Sequence, residues 1–110
     1  MMPPMDDVFR ALADPSRREL LDRLHAEPGA TLAELAEPLD MTRQAVSKHL
    51  AVLEAAGLVA CRWVGREKHH YLNPVPLVEI HERWISKFAA QRARRLLELR
   101  RALEEKEDDR

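Results

Sequence analysis

At 110 residues the chain has a single-domain length and can build only one modest core. It is 45% apolar and 34% charged, with three glycines; that excludes a disordered tail or a fibre and favours a helix-rich soluble domain. A net charge of −1 argues, taken alone, against a nucleic-acid binder.

The distribution of that charge reads differently. Residues 41–70 hold five Lys/Arg against two Asp/Glu, and three of the five histidines. Residues 81–101 hold seven against two, while residues 1–40 and 102–110 are acidic. Phosphate affinity is set by local clusters, so the basic middle block matters more than the sum. No apolar run approaches the ~18–20 residues of a membrane span; Ala55–Cys61 is about the longest. The opening Met1-Met2-Pro3-Pro4-Met5-Asp6-Asp7 has neither a basic leader nor an apolar core, so cytoplasmic residence with no membrane partner is expected. A single cysteine excludes an internal disulfide.

In chain order, Val8–Ala13 reads as a short amphipathic helix. Asp14-Pro15-Ser16 restarts the chain, with Asp14 placed to cap and Pro15 at the first helical position. Leu20, Leu21 and Leu24 make one apolar face before Glu27-Pro28-Gly29 stops that helix. Thr31-Leu32-Ala33-Glu34 is a capping box opening a brief helix, which Pro38 limits. Asp40-Met41-Thr42 is a tight link, and Thr42 can cap the next helix, where Val46, Leu50 and Leu53 form a buried stripe. Gly57 suits its C-terminus. Leu58–Val64 and Lys68–Leu72 read as strands around a Gly65-Arg66-Glu67 turn, and Asn73-Pro74-Val75-Pro76 breaks the sheet. From Leu77 a long helix is expected to reach Leu103, with Leu77, Ile80, Trp84, Phe88, Leu96, Leu99 and Leu103 on a common face. The acidic end, Glu104–Arg110, reads as frayed or disordered.

A short helix joined tightly to a second helix is the helix-turn-helix plan, in which the second helix enters the DNA major groove; the hairpin after it is a wing. The fold class is therefore mainly α, a winged helix-turn-helix with a two-stranded wing. With Val46, Leu50 and Leu53 turned inward, Arg43, Gln44, Ser47 and Lys48 fall on the outward face. Arg can pair with guanine O6 and N7, Gln with adenine N6 and N7, and Ser and Lys with a base or a phosphate. The helix N-terminus adds N–H groups aimed at phosphate. An ordinary solvated helix face would carry the same residue types.

Phe9-x-Ala11-Leu12-Ala13-Asp14-Pro15-x-Arg17-Arg18-x-x-Leu21, then Glu34-Leu35-Ala36, Ala45-Val46-Ser47-Lys48-His49-Leu50-x-x-Leu53-Glu54-x-Ala56-Gly57-Leu58-Val59 and Gly65-Arg66 together resemble the ArsR/SmtB family of bacterial winged helix-turn-helix repressors, over roughly residues 6–85. The resemblance implies one domain over 1–110, with the helix-turn-helix at about 32–56, the wing at about 58–73 and dimerisation helices at about 5–13 and 77–103. It implies a homodimer that represses from a promoter operator until a signal lowers its affinity. On that reading Thr42 caps and touches the DNA backbone, Arg43, Gln44, Ser47 and Lys48 read bases or anchor phosphates, and Arg66 at the wing tip reaches phosphate or the minor groove. Leu77, Trp84, Phe88, Leu96, Leu99 and Leu103 are the expected dimer contacts, with Trp84 and Phe88 as anchors.

The sequence departs from the family at its metal chemistry. Many members carry a Cys-x-Cys-type motif on the short helix, where this chain reads Glu34-Leu35-Ala36-Glu37-Pro38-Leu39-Asp40. Glu79-x-His81 could mimic an acidic-x-His pair, but Gln91, Arg92, Arg94 and Arg95 supply no further donors for a site that wants about four. Neither metal nor cofactor is expected, and the residues point to no inducer. Cys61, His69 and His70 lie together on the hairpin, but alternating strand faces keep all three from pointing one way. His49 reads as a partly buried packing residue or a phosphate neighbour. With no phosphate loop and no nucleophile–base pair, enzyme activity is not expected. The alternatives are a winged helix used only to bind protein, and a metal-responsive repressor with an atypical site.

Overall fold

The computed structural model describes residues 5–108. Helix α1 spans Met5–Leu12 and α2 spans Pro15–Ala26. Asp14 caps α2, its Oδ2 accepting from the Arg17 backbone N–H at 3.0 Å. Arg17 and Arg18 then reach back to α1. Arg17 Nε donates to the Ala11 carbonyl (2.8 Å) and Nη2 to that of Arg10 (3.1 Å), while Arg18 Nη1 donates to that of Leu12 (2.7 Å). Two guanidinium groups thus serve carbonyls at a helix end, where intrahelical partners run out.

Helix α3 covers Leu32–Ala36 behind the full capping box: Thr31 Oγ1 accepts from Glu34 N (3.4 Å) and Glu34 Oε1 from Thr31 N (3.3 Å). Thr42 caps α4, Arg43–Ala55, by accepting from Ala45 N at 3.1 Å. Gly57, with φ +77°, turns the chain out of α4 in a conformation that favours glycine. Strands β1 (Val59–Val64) and β2 (Glu67–Leu72) pair antiparallel in the register Val59–Leu72, Cys61–His70, Trp63–Lys68 and Val64–Glu67. The turn is therefore Gly65-Arg66 alone, and Glu67 is the first residue of β2 rather than part of the turn. A two-residue hairpin needs positive φ at its first position, which Gly65 supplies at +63°.

One pairing has no strand signal in the sequence. Gly29 N donates to the His70 carbonyl (2.8 Å) and His70 N to that of Ala30 (3.0 Å), so the link between α2 and α3 clips onto the free edge of β2. At the wing base Asn73 Nδ2 donates to the Gly57 carbonyl (2.9 Å), its own N–H to that of Leu58 (2.8 Å), and its Oδ1 accepts from Val75 N (3.2 Å).

The chain divides into two compact units, 1–76 and 77–110. In the first, each helix contributes a stripe to one core, with Leu20, Leu24, Leu35, Val46, Leu53 and Leu58 fully enclosed. Each such side chain contributes roughly 1.5–3 kcal/mol by leaving water.

The last helix differs from the sequence reading in three respects. It opens at Val75 as α5 (Val75–Ile80), passes through a π-helical stretch at His81–Ile85, and continues as α6 (Ser86–Asp108). A π turn bonds i to i+5 and so winds more slowly than an α turn. The single face expected to join Leu77 and Ile80 to Trp84 and Phe88 is accordingly sheared there. The acidic end is helical through Asp108, not frayed. Leu, Ala, Glu and Lys are strong helix formers, and Arg100 Nε pairs with Glu104 Oε1 at 3.1 Å one turn on. Asp109 and Arg110 lie outside the described residues.

Candidate nucleic-acid interface

Burial of Val46, Leu50 and Leu53 fixes how α4 is turned. Thr42, Arg43, Gln44, Ser47 and Lys48 are consequently exposed together over its first two turns. Among the described residues, the side chains of Arg43, Gln44, Ser47 and Lys48 make no internal hydrogen bond or ion pair. Their donors and acceptors are available to an outside partner. The helix is thirteen residues long, so its N-terminus also presents the positive end of its dipole beside them.

Two depressions meet at this end of α4. One, of about 660 Å³, runs along α3 and the turn and is lined by Ala36, Glu37, Met41 and Thr42 among others. The second, of about 320 Å³, lies between the wing and the helix-turn-helix and is lined by Leu32, Arg43, Trp63, Arg66 and Lys68 among others. Ala33 and Arg43 border both. Arg43 and Arg66, far apart in sequence, thus share one cleft. Leu77, Trp84, Phe88, Leu96, Leu99 and Leu103 belong to the other unit.

Sequence reasoning overlooked Trp63. It sits on the inward face of β1, aligned with Lys68, and is 65% exposed. An indole left in water two residues before the turn glycine was the available signal, hidden because an aromatic in a strand normally reads as core.

Behind the exposed face, three polar clusters hold the scaffold. His49 is half-buried, its Nδ1 accepting from Arg17 Nη1 (3.4 Å) and lying 3.8 Å from Asp14 Oδ2. It joins α4 to the α1–α2 corner and has no place on the exposed face. The Arg17 backbone hydrogen bond, helped by the Arg17 charge, holds the Asp14 carboxyl below its usual range. The Thr31 hydroxyl and backbone do the same for Glu34.

The third cluster answers what Cys61 does. Its thiol donates to Glu54 Oε1 (2.7 Å), and Lys68 Nζ lies 3.2 Å from the same oxygen. Burial, with the hydrogen bond and charge of Glu54, pushes the thiol up to about 11. Burial also pushes Glu54 up, but the hydrogen bonds from Cys61 and Lys68 and the lysine charge outweigh it and leave that carboxyl lowered. A thiol so held stays protonated and unreactive near neutral pH. Register sets Cys61 opposite His70, but His70 Nδ1 is engaged with the Ala30 carbonyl (3.0 Å), and His69 Nδ1 with that of Gly29 (2.6 Å). Among the described residues no three His, Cys, Asp or Glu groups are arranged to hold a metal ion, and no helix is long and apolar enough to cross a membrane.

Comparison with known proteins agrees with this geometry. A family described as a helix-turn-helix domain matches residues 12–62. The chain is 41% identical over 86 residues to the uncharacterized HTH-type transcriptional regulator YuzN of Bacillus subtilis, covering 73% of this chain and 94% of that one. It is 32% identical over 73 residues to the transcriptional repressor SdpR of the same organism, covering 66% and 80%. The solved ArsR-like transcriptional regulator from Rhodococcus sp. RHA1 superposes with a TM-score of 0.66 at 35% identity, over 86% of this chain and 88% of that one. A capped helix-turn-helix, a two-stranded wing and these relatives converge: the chain belongs to the ArsR/SmtB family of winged helix-turn-helix proteins and is a DNA-binding transcriptional regulator.

Proposed function

We propose that the protein is a homodimeric repressor that occupies a palindromic promoter operator, that of its own gene included, and acts in the cytoplasm by covering DNA rather than by transforming a substrate. The observation that carries this reading is the set of unpartnered polar side chains at the N-terminal end of α4. On it, Gln44 and Arg43 meet base edges or phosphates in the major groove, Ser47 and Lys48 flank them, Thr42 touches the backbone, and Arg66 extends the contact from the wing. The relative named a transcriptional repressor supports the direction of control.

The dimer is argued from the second unit. Residues 81–107 are all exposed, yet they include Phe88 at 66%, Leu96 at 59%, Leu99 at 57% and Leu103 at 55% exposure. Apolar stripes of that length mark interaction surfaces, and pairing about a two-fold axis would cover two at once. Residues 5–13 and 77–103 form the contact on this reading, with the helix-turn-helix at 32–56 and the wing at 58–73 left to DNA. The test combines sedimentation at micromolar concentration with binding to the intergenic DNA beside its gene. A dimer protecting an inverted repeat is expected; a monomer, or equal affinity for scrambled duplex, would refute the proposal.

A further inference from the structure

We infer that the cleft between α4 and the wing is a seat for one sugar–phosphate unit of the DNA backbone, with Trp63 lying against the deoxyribose and Arg43 and Arg66 gripping the phosphate from opposite walls. The inference deepens the DNA-contact reading above and assigns two residues differently. Arg43 becomes a backbone clamp rather than a base reader, and Trp63 becomes a DNA contact.

Three observations lead there. First, the cleft has a volume of about 320 Å³, room for about ten waters, which suits a compact group rather than a base pair. Second, its charges are unevenly committed. Lys68 is tied to Glu54 (3.2 Å), and Glu67 Oε2 lies 3.3 Å from His69 Nε2. Among the described residues, Arg43 and Arg66 have no partner within the protein. Two arginines bordering one small cleft place two positive charges beside it, which an anion would neutralise, and guanidinium forks match phosphate oxygens. Third, the same cleft is lined by an exposed indole. Trp63 offers an apolar face and a single N–H donor with no acceptor. A sugar edge beside an anionic oxygen complements both features. A ligand carrying its own donors toward this wall would leave the arginines unanswered.

The position also fits the geometry of a groove reader. A helix lying in the major groove has the phosphate backbone along its flanks, and the wing stands on one flank of α4. Arg43, at the first residue of α4, lies where helix, wing and α3 meet.

The test uses the full-length protein and two duplexes, the operator fragment and a scrambled version, titrated across a salt series. Trp63→Ala should weaken both duplexes about tenfold, as expected for losing the indole surface that DNA would cover, and leave the salt slope unchanged. Arg43→Ala and Arg66→Ala should each weaken both duplexes alike and lower the slope. A neutral methylphosphonate at the seated position should weaken the parent and abolish the further effect of either arginine substitution. Trp63→Phe guards against a folding artefact, since it keeps a ring in the strand; it should fall between parent and alanine. In a Trp84→Phe background Trp63 is the sole indole, and its emission should be quenched on adding DNA. The inference is overturned if Trp63→Ala binds as the parent does with no quenching, or if Arg43→Ala shifts sequence preference while keeping its salt slope. Loss of the palindrome preference in the parent would instead overturn the dimeric operator reading and leave the cleft standing.

Discussion

Residues 5–76 and residues 77–108 treat their apolar side chains in opposite ways. The buried apolar residues among those described run from Val8 to Val59, with Pro76 beyond them. From His81 to Glu107 nothing is buried, although that stretch carries Ile85, Phe88, Leu96, Leu97, Leu99 and Leu103. Both segments are helical and both have periodic leucines. What separates them is whether neighbouring elements return to cover the stripe. In the first unit four helices and a hairpin converge on one centre; in the second the side chains from residue 81 to 107 stay exposed. The same periodicity therefore encodes a core in one place and, on the dimer reading, an interface in the other.

The comparison is tested most severely by matched leucine truncations. Leu53→Ala, in the enclosed core, should cost about 2–5 kcal/mol of unfolding free energy at any protein concentration. Leu99→Ala should leave the stability of the dissociated chain within about 0.5 kcal/mol, and lower the denaturant midpoint only at concentrations where dimer forms. Urea unfolding at two widely separated concentrations checks both. A concentration-independent loss for Leu99 would mean that α6 stabilises the fold rather than the assembly.

Within the first unit, exposed and enclosed faces of α4 should separate cleanly. Gln44→Ala should relax preference at one base pair in each half-site, by about 1–3 kcal/mol for a lost bidentate contact, with thermal stability unchanged. Binding to a set of singly substituted operators reads this directly. Uniform weakening on every sequence would reassign Gln44 to the backbone.

Thr42 lies on both sides of that division. Its hydroxyl caps α4, so Thr42→Ala should cost about 1 kcal/mol of stability, while Thr42→Ser restores it. Thermal denaturation of the three proteins makes the comparison. Equal midpoints for Ala and Ser would show that the cap is dispensable.

The smallest effects are those of pH, and they arise in the first unit. Asp14, Glu34 and Glu54 are held below their ordinary values of 3.8, 4.5 and 4.5. Their contribution is present above those values and is lost as pH falls through the lower folded ones. Cys61 runs the other way. Raised from 9.0 to about 11, it contributes fully below pH 9 and progressively less as pH climbs through 11. At pH 8 the native thiol should alkylate about 100-fold more slowly than the urea-unfolded chain, following its thiolate fraction. Equal rates would place Cys61 outside the Glu54–Lys68 cluster.

Much of this architecture is legible from residue order because local chemistry determines it. Asp14-Pro15, the Thr31–Glu34 box, the Thr42 cap and the glycines at 57 and 65 each act on backbone groups within a few positions. The outward face of α4 follows from three apolar positions at fixed spacing. The hairpin register could be read only to within a residue, because Glu67 is as acceptable in a turn as on an exposed strand edge. The π stretch at His81–Ile85 left no trace in the pattern, since a hydrogen-bond shift of one residue keeps the same apolar residues and changes only their angular alignment.

The sequence by itself determined the caps that open α2, α3 and α4, the choice of core leucines and the polar face of α4, all of them consequences of interactions between near neighbours. Only the tertiary structure decided that Ala30 joins the edge of β2, that Arg17 closes the α1–α2 corner against His49, that Cys61 is hydrogen-bonded to Glu54, and that Arg43, Trp63 and Arg66 border one cleft. The Ala30, Arg17–His49 and cleft meetings join segments twenty or more residues apart, while Glu54 and Cys61, seven residues apart, are brought together across the α4–β1 turn; no local propensity records such meetings. Their positions follow from how the helices pack, and packing is a property of the whole core rather than of any stretch within it.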